Sequence, residues 1–254
     1  MTVFFYDRTF DGLLSAVFDA YAGRIFPDRL LKTGDGAPLF TDGCRTIVTD
    51  GAHAARVWSA LPARLGENVC RMLVYVWLSE EDGSDELLFR YICKSFDHTH
   101  SIAWNFGDRD VLEVSKTARR VLHEVQYIKQ FVRFQKTADG LFFAPVRPVC
   151  NALPPAVGHF ADRFADQQWV IYDLKRKYGY FYNLHETCEI TFTDDDRLLS
   201  GILHESLMAE DEKLFQRLWK GYFDAIAIRQ RINPRLQRRN MPARFWQYLT
   251  EKRL

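Results

Sequence analysis

Apolar residues near the start of the chain recur at the spacing of an amphipathic helix. The positions follow the order i, i+3, i+4, i+7, i+8 and i+11 and are occupied by Phe10, Leu13, Leu14, Val17, Phe18 and Tyr21. Thr9 stands where an N-cap belongs, so a helix is predicted from there. The apolar run Val3–Tyr6 predicts a strand before it, and Thr46–Thr49 predicts a second strand with a helix near 52–61 behind it. The start of the chain therefore reads as β-α-β-α.

The pattern is helical from residue 64 to about residue 130. One helix is predicted around residues 65–77 and a second from Ser84 to Ile92. A third is predicted from Val111 to Gln130, where Val114, Val121 and Ile128 share an apolar face.

The pattern changes to paired strands at Phe131. Two hairpins, turning near Asp139-Gly140 and near Lys177–Gly179, enclose a helix at about 155–166 and predict a central β-β-α-β-β unit. A long helix is predicted over about 205–231 and ends at Asn233-Pro234, and Pro242 can open a last short helix. The expected fold is α+β, in one compact domain over residues 1–254 with sublayers at 1–130 and 131–254.

Composition narrows the class of protein. Apolar residues make up 47% and charged residues 26% of the 254, as in ordinary folded domains. The sequence predicts neither a membrane span nor a signal peptide. Five widely spaced cysteines indicate a reducing compartment, so a cytoplasmic location is expected.

The net charge of +1 conceals an uneven distribution of charge. Residues 213–254 carry 11 Lys and Arg against 2 acids, and residues 113–136 carry 6 against 2. Such blocks favour anionic partners.

The most suggestive short segment is a basic and aromatic hairpin. Single-stranded nucleic acid is bound by cations that follow its phosphates and by rings that stack on its bases. The hairpin offers both residue types in Lys175, Arg176, Lys177, Tyr180 and Tyr182. Cross-strand packing of the rings is the alternative.

A second basic segment lies near the C-terminus. Its candidate phosphate-binding residues are Arg235, Arg238, Arg239 and Arg244, preceded by Arg229 and Arg231. They can equally pair with acids such as Asp194–Asp196 or cap a helix.

A third set is a candidate catalytic centre in the central unit, formed by Arg133, His159, Arg163 and Asp173. An imidazole titrates near neutral pH and can transfer protons, and Arg with Asp can bind an anion or form a structural ion pair.

Known catalytic and cofactor motifs are missing: there is no GxSxG, GxGxxG, P-loop or CxxC. His98 and His100 are better explained as loop histidines than as metal ligands. No metal and no cofactor is therefore expected.

Several segments together resemble the family known as domain of unknown function 4130, whose members are described as DNA-repair or DNA-metabolism proteins. The carrying segments are Tyr6-Asp7, Ala16–Tyr21, Phe131–Gln135, Asp139-Gly140, His159–Phe164, Trp169–Asp173, Lys175-Arg176, Leu218–Phe223, Asn233–Gln237 and Met241–Trp246. The resemblance implies a DNA-binding accessory protein that works beside a radical S-adenosylmethionine protein. It supplies no catalytic residues.

Three functions follow as hypotheses. The first is this DNA-metabolism accessory protein, which contacts DNA and the radical S-adenosylmethionine partner but no membrane. The second is a DNA-processing enzyme, a nuclease, glycosylase or base-modifying protein, that uses the central Arg/His/Asp set. The third is a protein-interaction module that docks the partner through exposed Phe and Trp of the last forty residues.

Overall fold

The computed structural model of the chain describes residues 1–192, 205–226, 228 and 233–252. These residues form an α+β protein, as predicted, in two compact units at residues 1–122 and 123–254. The prediction of one domain over the whole chain stays a prediction. None of the described helices combines the length and the apolar character that a membrane span requires.

The first unit is built on a small parallel sheet. Strand β1 (Thr2–Tyr6) lies between β2 (Arg29–Lys32) and β3 (Gly43–Thr46). Helix α1 (Phe10–Gly23) follows β1 and begins as predicted, because the Thr9 hydroxyl accepts the Gly12 N–H at 2.9 Å. The pattern missed β2, and it placed the strand at Thr46–Thr49 too late along the chain.

Helices make up the rest of the first unit. They are α2 (Gly51–Leu65), α3 (Glu67–Leu78), α4 (Ser84–Asp97) and the first part of α5 (Arg109–Phe131). Their apolar faces share one core with the sheet, which includes Phe4, Leu13, Leu73, Leu88 and Val114.

The second unit contains a five-stranded sheet in chain order. The strands are β4 (Gln135–Lys136), β5 (Phe142–Val146), β6 (Trp169–Asp173), β7 (Tyr178–Tyr182) and β8 (Thr187–Ile190). β5 and β6 are parallel, and α6 (Pro154–Arg163) provides the crossover that parallel neighbours need. The predicted β-β-α-β-β unit is thus present, and β8 extends it.

The C-terminal region differs from the long helix that was predicted over about 205–231. A 3₁₀ turn at Glu205–Leu207 comes first, and α7 runs from Glu212 to Ile226. A short α8 (Pro234–Asn240) follows, and its Asn233 cap accepts the Leu236 N–H at 3.0 Å. The last of the described residues form 3₁₀ turns at Ala243–Tyr248 and Thr250–Lys252.

The pairing of β6 with β7 depends on a glycine. Gly179 lies opposite Tyr172, and a Cβ at Gly179 would run into the Ile171 carbonyl oxygen and stand 2.8 Å from the Tyr172 ring. A Gly179→Ala substitution should therefore lower the free energy of unfolding by about 1–3 kcal/mol, the usual cost of overpacking. Urea unfolding followed by circular dichroism measures it.

Gly158 supplies the matched control for this substitution. It lies exposed in α6, and a Cβ added to it would meet no atom within 4 Å, so Gly158→Ala should raise stability by up to about 1 kcal/mol. Equal effects from the two substitutions would contradict this account of the strand pairing.

Candidate nucleic-acid cleft

One open cleft of about 1520 Å³ lies in the second unit, a volume above the roughly 300–1,000 Å³ usual for small-molecule sites. It is formed by the last turns of α5, the chain leading into β4, β5, α6 and α7. We call it the unit 2 cleft. Its size suits an extended ligand better than a single small molecule.

Aromatic rings make up much of the cleft lining. The α6 side contributes a cluster in which the Phe134 ring meets the Phe164 ring at 5.1 Å and the Phe160 ring at 5.9 Å. Helix α7 contributes Phe215, Trp219 and Tyr222, at the i, i+4 and i+7 positions of one face. Phe215 and Tyr222 are 57% and 56% exposed, so their rings are available to a ligand.

Positive charge lines the same cleft. Helix α5 presents amide and cationic side chains at i, i+3 and i+4, namely Gln126, Lys129 and Gln130, and Arg133 follows two residues after the helix ends. Lys136 comes from β4, and His159 and Arg163 come from α6. Two acids, Asp211 and Glu212, stand at the start of α7.

Glu251 fixes Arg133 at the edge of the cleft. The Glu251 side chain is 2% exposed and accepts from the Arg133 guanidinium at 2.8 Å and from the Trp219 Nε1–H at 3.0 Å. Burial alone would raise the pKa of Glu251, but its backbone hydrogen bond and those from Trp219 and Arg133 outweigh burial and lower it. The Arg133 guanidinium also lies 5.8 Å from the Trp219 ring centre. Glu251 is therefore ionised and ties α7 to the end of α5.

The predicted catalytic set is only partly assembled. Arg133, His159 and Arg163 all line the unit 2 cleft, but Asp173 does not. Asp173 is fully buried and binds Arg176 at 2.8 Å, and it accepts the backbone N–H groups of Lys175 and Arg176. Arg133 and Asp173 do not form the structural ion pair that the predicted set allowed, because Arg133 pairs with Glu251 and Asp173 pairs with Arg176. The carboxylate instead shapes the turn between β6 and β7.

Several side chains of the basic and aromatic hairpin pack or form hydrogen bonds within the fold. Tyr182 is 7% exposed and stacks on Trp169 at 5.4 Å, which removes it as a platform for bases. Tyr180 is half-buried and packs edge-on against Tyr178. Lys175 Nζ donates to the Val149 carbonyl at 2.7 Å, and Arg176 donates to the same oxygen at 3.2 Å. Lys177, at a left-handed turn position, remains exposed.

The C-terminal arginines divide into two groups. Arg244 pairs with the buried Glu124, whose other oxygen accepts the Val149 N–H at 3.0 Å, so this arginine lies close to the Lys175–Arg176 turn. Arg235, Arg238 and Arg239 are exposed on α8 and form no ion pair with any described residue. The acids Asp194–Asp196 and the cations Arg229 and Arg231 lie outside the described residues.

Sequence reasoning missed Lys129, Glu251 and the orientation of the α7 rings. A usable signal existed for Lys129, since the polar i, i+3, i+4 stripe of α5 that begins at Gln126 is visible in the sequence. No pattern could have indicated Glu251, because it meets Arg133 across 118 positions of the chain. The part of the chain that is described holds no group of three His, Cys, Asp or Glu side chains suited to a metal ion.

These features define a mixed α+β protein with an open aromatic and cationic cleft in its second unit. The chain belongs to the family of the domain of unknown function DUF4130, whose model matches residues 82–251. A comparison with curated proteins found no match. Among solved structures, the chain is similar to the pGpG-specific phosphodiesterase PggH from Vibrio cholerae. That likeness has a TM-score of 0.31 and 12% identity over 89% of this chain and 99% of the other, which is too low to carry an argument.

Proposed function

We propose that the unit 2 cleft binds single-stranded nucleic acid and that the chain is a DNA-metabolism accessory protein. The observation that carries the proposal is the combination, in one open cleft, of exposed rings from α7 with cations from α5 and α6. Rings stack on bases of any sequence, and cations follow the phosphates, which is the usual chemistry of single-strand binding. The cleft volume allows an extended strand to enter.

The direct experiment is a titration of fluorescently labelled oligonucleotides with the full chain. Fluorescence anisotropy at low salt should show binding of a single strand, with an affinity that falls steeply as salt is added. A duplex of the same sequence should bind more weakly, because its paired bases cannot stack on the α7 rings. Absence of single-strand binding at low salt would overturn the proposal.

Association with a radical S-adenosylmethionine protein is part of the proposal and rests on the family resemblance. Co-purification of the two proteins after co-expression tests it. In the interaction-module hypothesis, the exposed rings of α7 would contact the partner protein. Phe245, another aromatic residue of the last forty, is buried and cannot contact a partner. If Phe215→Ala abolished co-purification but left oligonucleotide affinity intact, α7 would be assigned to the partner rather than to the strand.

The enzyme hypothesis receives less support. A catalytic histidine is usually oriented by a third group, and no described carboxylate bonds to His159 in this chain. Asp173, the acid of the predicted catalytic set, is buried in the β6–β7 turn. Turnover of an oligonucleotide that disappears in a His159→Gln variant while binding persists would restore this hypothesis.

A further inference from the structure

Unpaired positive charge is concentrated at one place in the unit 2 cleft. Arg133 is held by Glu251, and Lys136 lies 3.8 Å from Asp211. Lys129 and Arg163 also line the cleft, but neither forms an ion pair with any residue that the structure describes. An anion that enters the cleft therefore meets two cations that no described carboxylate neutralises.

His159 lies with these two cations. It stands one helical turn before Arg163 on α6, so both side chains occupy the same helix face. Burial lowers the pKa of His159, and the charges of Lys129 and Arg163 lower it further. Three nitrogen-bearing side chains from two helices thus share one part of the cleft.

The surroundings of His159 contain little negative charge to offset these cations. The charges acting on it are Lys129 from α5, Arg163 from α6 and the carboxylate of Asp162, which alone raises its pKa. Its ring meets the Phe160 ring edge-on at 5.4 Å. The other charged groups of the cleft are Arg133, Lys136, Asp211 and Glu212, and Glu212 is occupied by the Lys136 N–H and the Gln216 amide.

We infer that Lys129, His159 and Arg163 form a subsite for a phosphate monoester, so that the cleft prefers nucleic-acid strands that end in a phosphate. The inference rests on the proposed function and names the ligand group within it. An internal phosphodiester carries one negative charge, whereas a terminal monoester carries about −1.5 to −2 at pH 7 and offers three strong acceptor oxygens. Two fixed cations and an imidazole that gains a proton therefore match the charge of a terminal phosphate better than the charge of an internal phosphodiester.

The test compares four versions of one short single strand: 5′-phosphorylated, 3′-phosphorylated, phosphorylated at both ends, and hydroxyl-terminated. A phosphorylated end should tighten binding by roughly tenfold, the effect expected of an added charge-assisted contact. The two singly phosphorylated strands distinguish which end enters the subsite. Inorganic phosphate should remove the advantage of the phosphorylated strand at concentrations that leave the hydroxyl-terminated strand bound.

The pH dependence provides a readout that a structural role of His159 would not change. A bound dianion favours the imidazolium, so the preference for the phosphorylated end should grow as the pH falls from about 8 to 6.5. A His159→Gln variant should keep part of the preference through Lys129 and Arg163, but the preference should no longer grow at lower pH and should instead weaken as the phosphate, with a second pKa of about 6, gains a proton. Thermal unfolding checks that the variant is folded.

The outcomes separate this inference from the proposed function. Equal binding of all four strands would overturn the subsite and leave the cleft as a general strand-binding surface. If no strand bound at all, both the subsite and the proposed function would fail. A preference that is unchanged in Lys129→Ala and Arg163→Ala variants would place the phosphate elsewhere and overturn the inference.

Discussion

Replacing Phe215 and Tyr222 together by alanine is expected to weaken single-strand binding by roughly 30-fold or more. The estimate follows from about 1–3 kcal/mol for each stacked base and two platforms removed. Both rings are more than half exposed, and neither side chain forms a hydrogen bond with a described residue. Their loss should therefore change binding far more than folding. Fluorescence anisotropy with a hydroxyl-terminated strand measures the affinity.

Leu214→Ala is the matched control for the two ring substitutions. Leu214 is an exposed apolar residue of the same helix, at 48% exposure, but it does not line the unit 2 cleft. Its removal should leave the affinity unchanged. An equal loss in the control would mean that the substitutions act through α7 as a whole and that the rings are not base platforms.

Asp173→Ala is expected to lower the free energy of unfolding by about 3–5 kcal/mol, the usual consequence of breaking a buried ion pair. The Asp173 carboxylate is inaccessible, and it holds the Arg176 guanidinium together with two backbone N–H groups of the turn. Its loss leaves the positive charge of Arg176, whose side chain is only 10% exposed, without this carboxylate. Chemical denaturation gives the difference directly.

Two further variants define the role of Asp173. Asp173→Asn retains an oxygen that can accept the turn N–H groups, so it should lose less stability than the alanine variant. Asp162→Ala, at an exposed acid of α6, should change stability by no more than about 0.5 kcal/mol. Folded Asp173→Asn protein that still binds oligonucleotides with normal affinity is expected. If the folded Asp173→Asn protein no longer bound oligonucleotides, Asp173 would be part of the binding site.

The local patterns predicted those parts of the fold that neighbouring residues determine. Thr9 and the apolar spacing behind it were sufficient for α1, because capping and amphipathicity act within a few turns. The continuous apolar run of β6 is typical of a strand buried on both faces, and all five of its residues are buried. The strand β8, with three exposed residues of four, has no such signature and was missed.

The candidate site was less predictable because its members meet only through tertiary packing. The sequence placed Arg133, His159 and Arg163 in one hypothesis but joined them to Asp173, whose true partner is three positions away. Tyr182 carries the composition of a stacking residue and yet packs on Trp169, since a ring in a strand can face the core or the solvent. Local composition cannot decide between these uses. The role of a charge or ring depends on which distant residue covers it.

The most direct test of the unit 2 cleft compares two double variants that remove the same amount of charge. Lys129→Ala with Arg163→Ala removes the unpaired cations of the cleft, and Lys175→Ala with Lys177→Ala removes two cations of the β6–β7 turn. The measurement is single-strand affinity as a function of salt concentration. In a plot of log affinity against log salt, each phosphate contact of a single strand contributes about 0.7 to the slope.

The cleft variant should lose at least the slope of one phosphate contact, about 0.7, and bind at least roughly tenfold more weakly at low salt. The turn variant should keep the slope of the unaltered protein. The opposite result, in which the turn variant loses the slope and the cleft variant retains it, would contradict the account and move nucleic-acid binding to the hairpin.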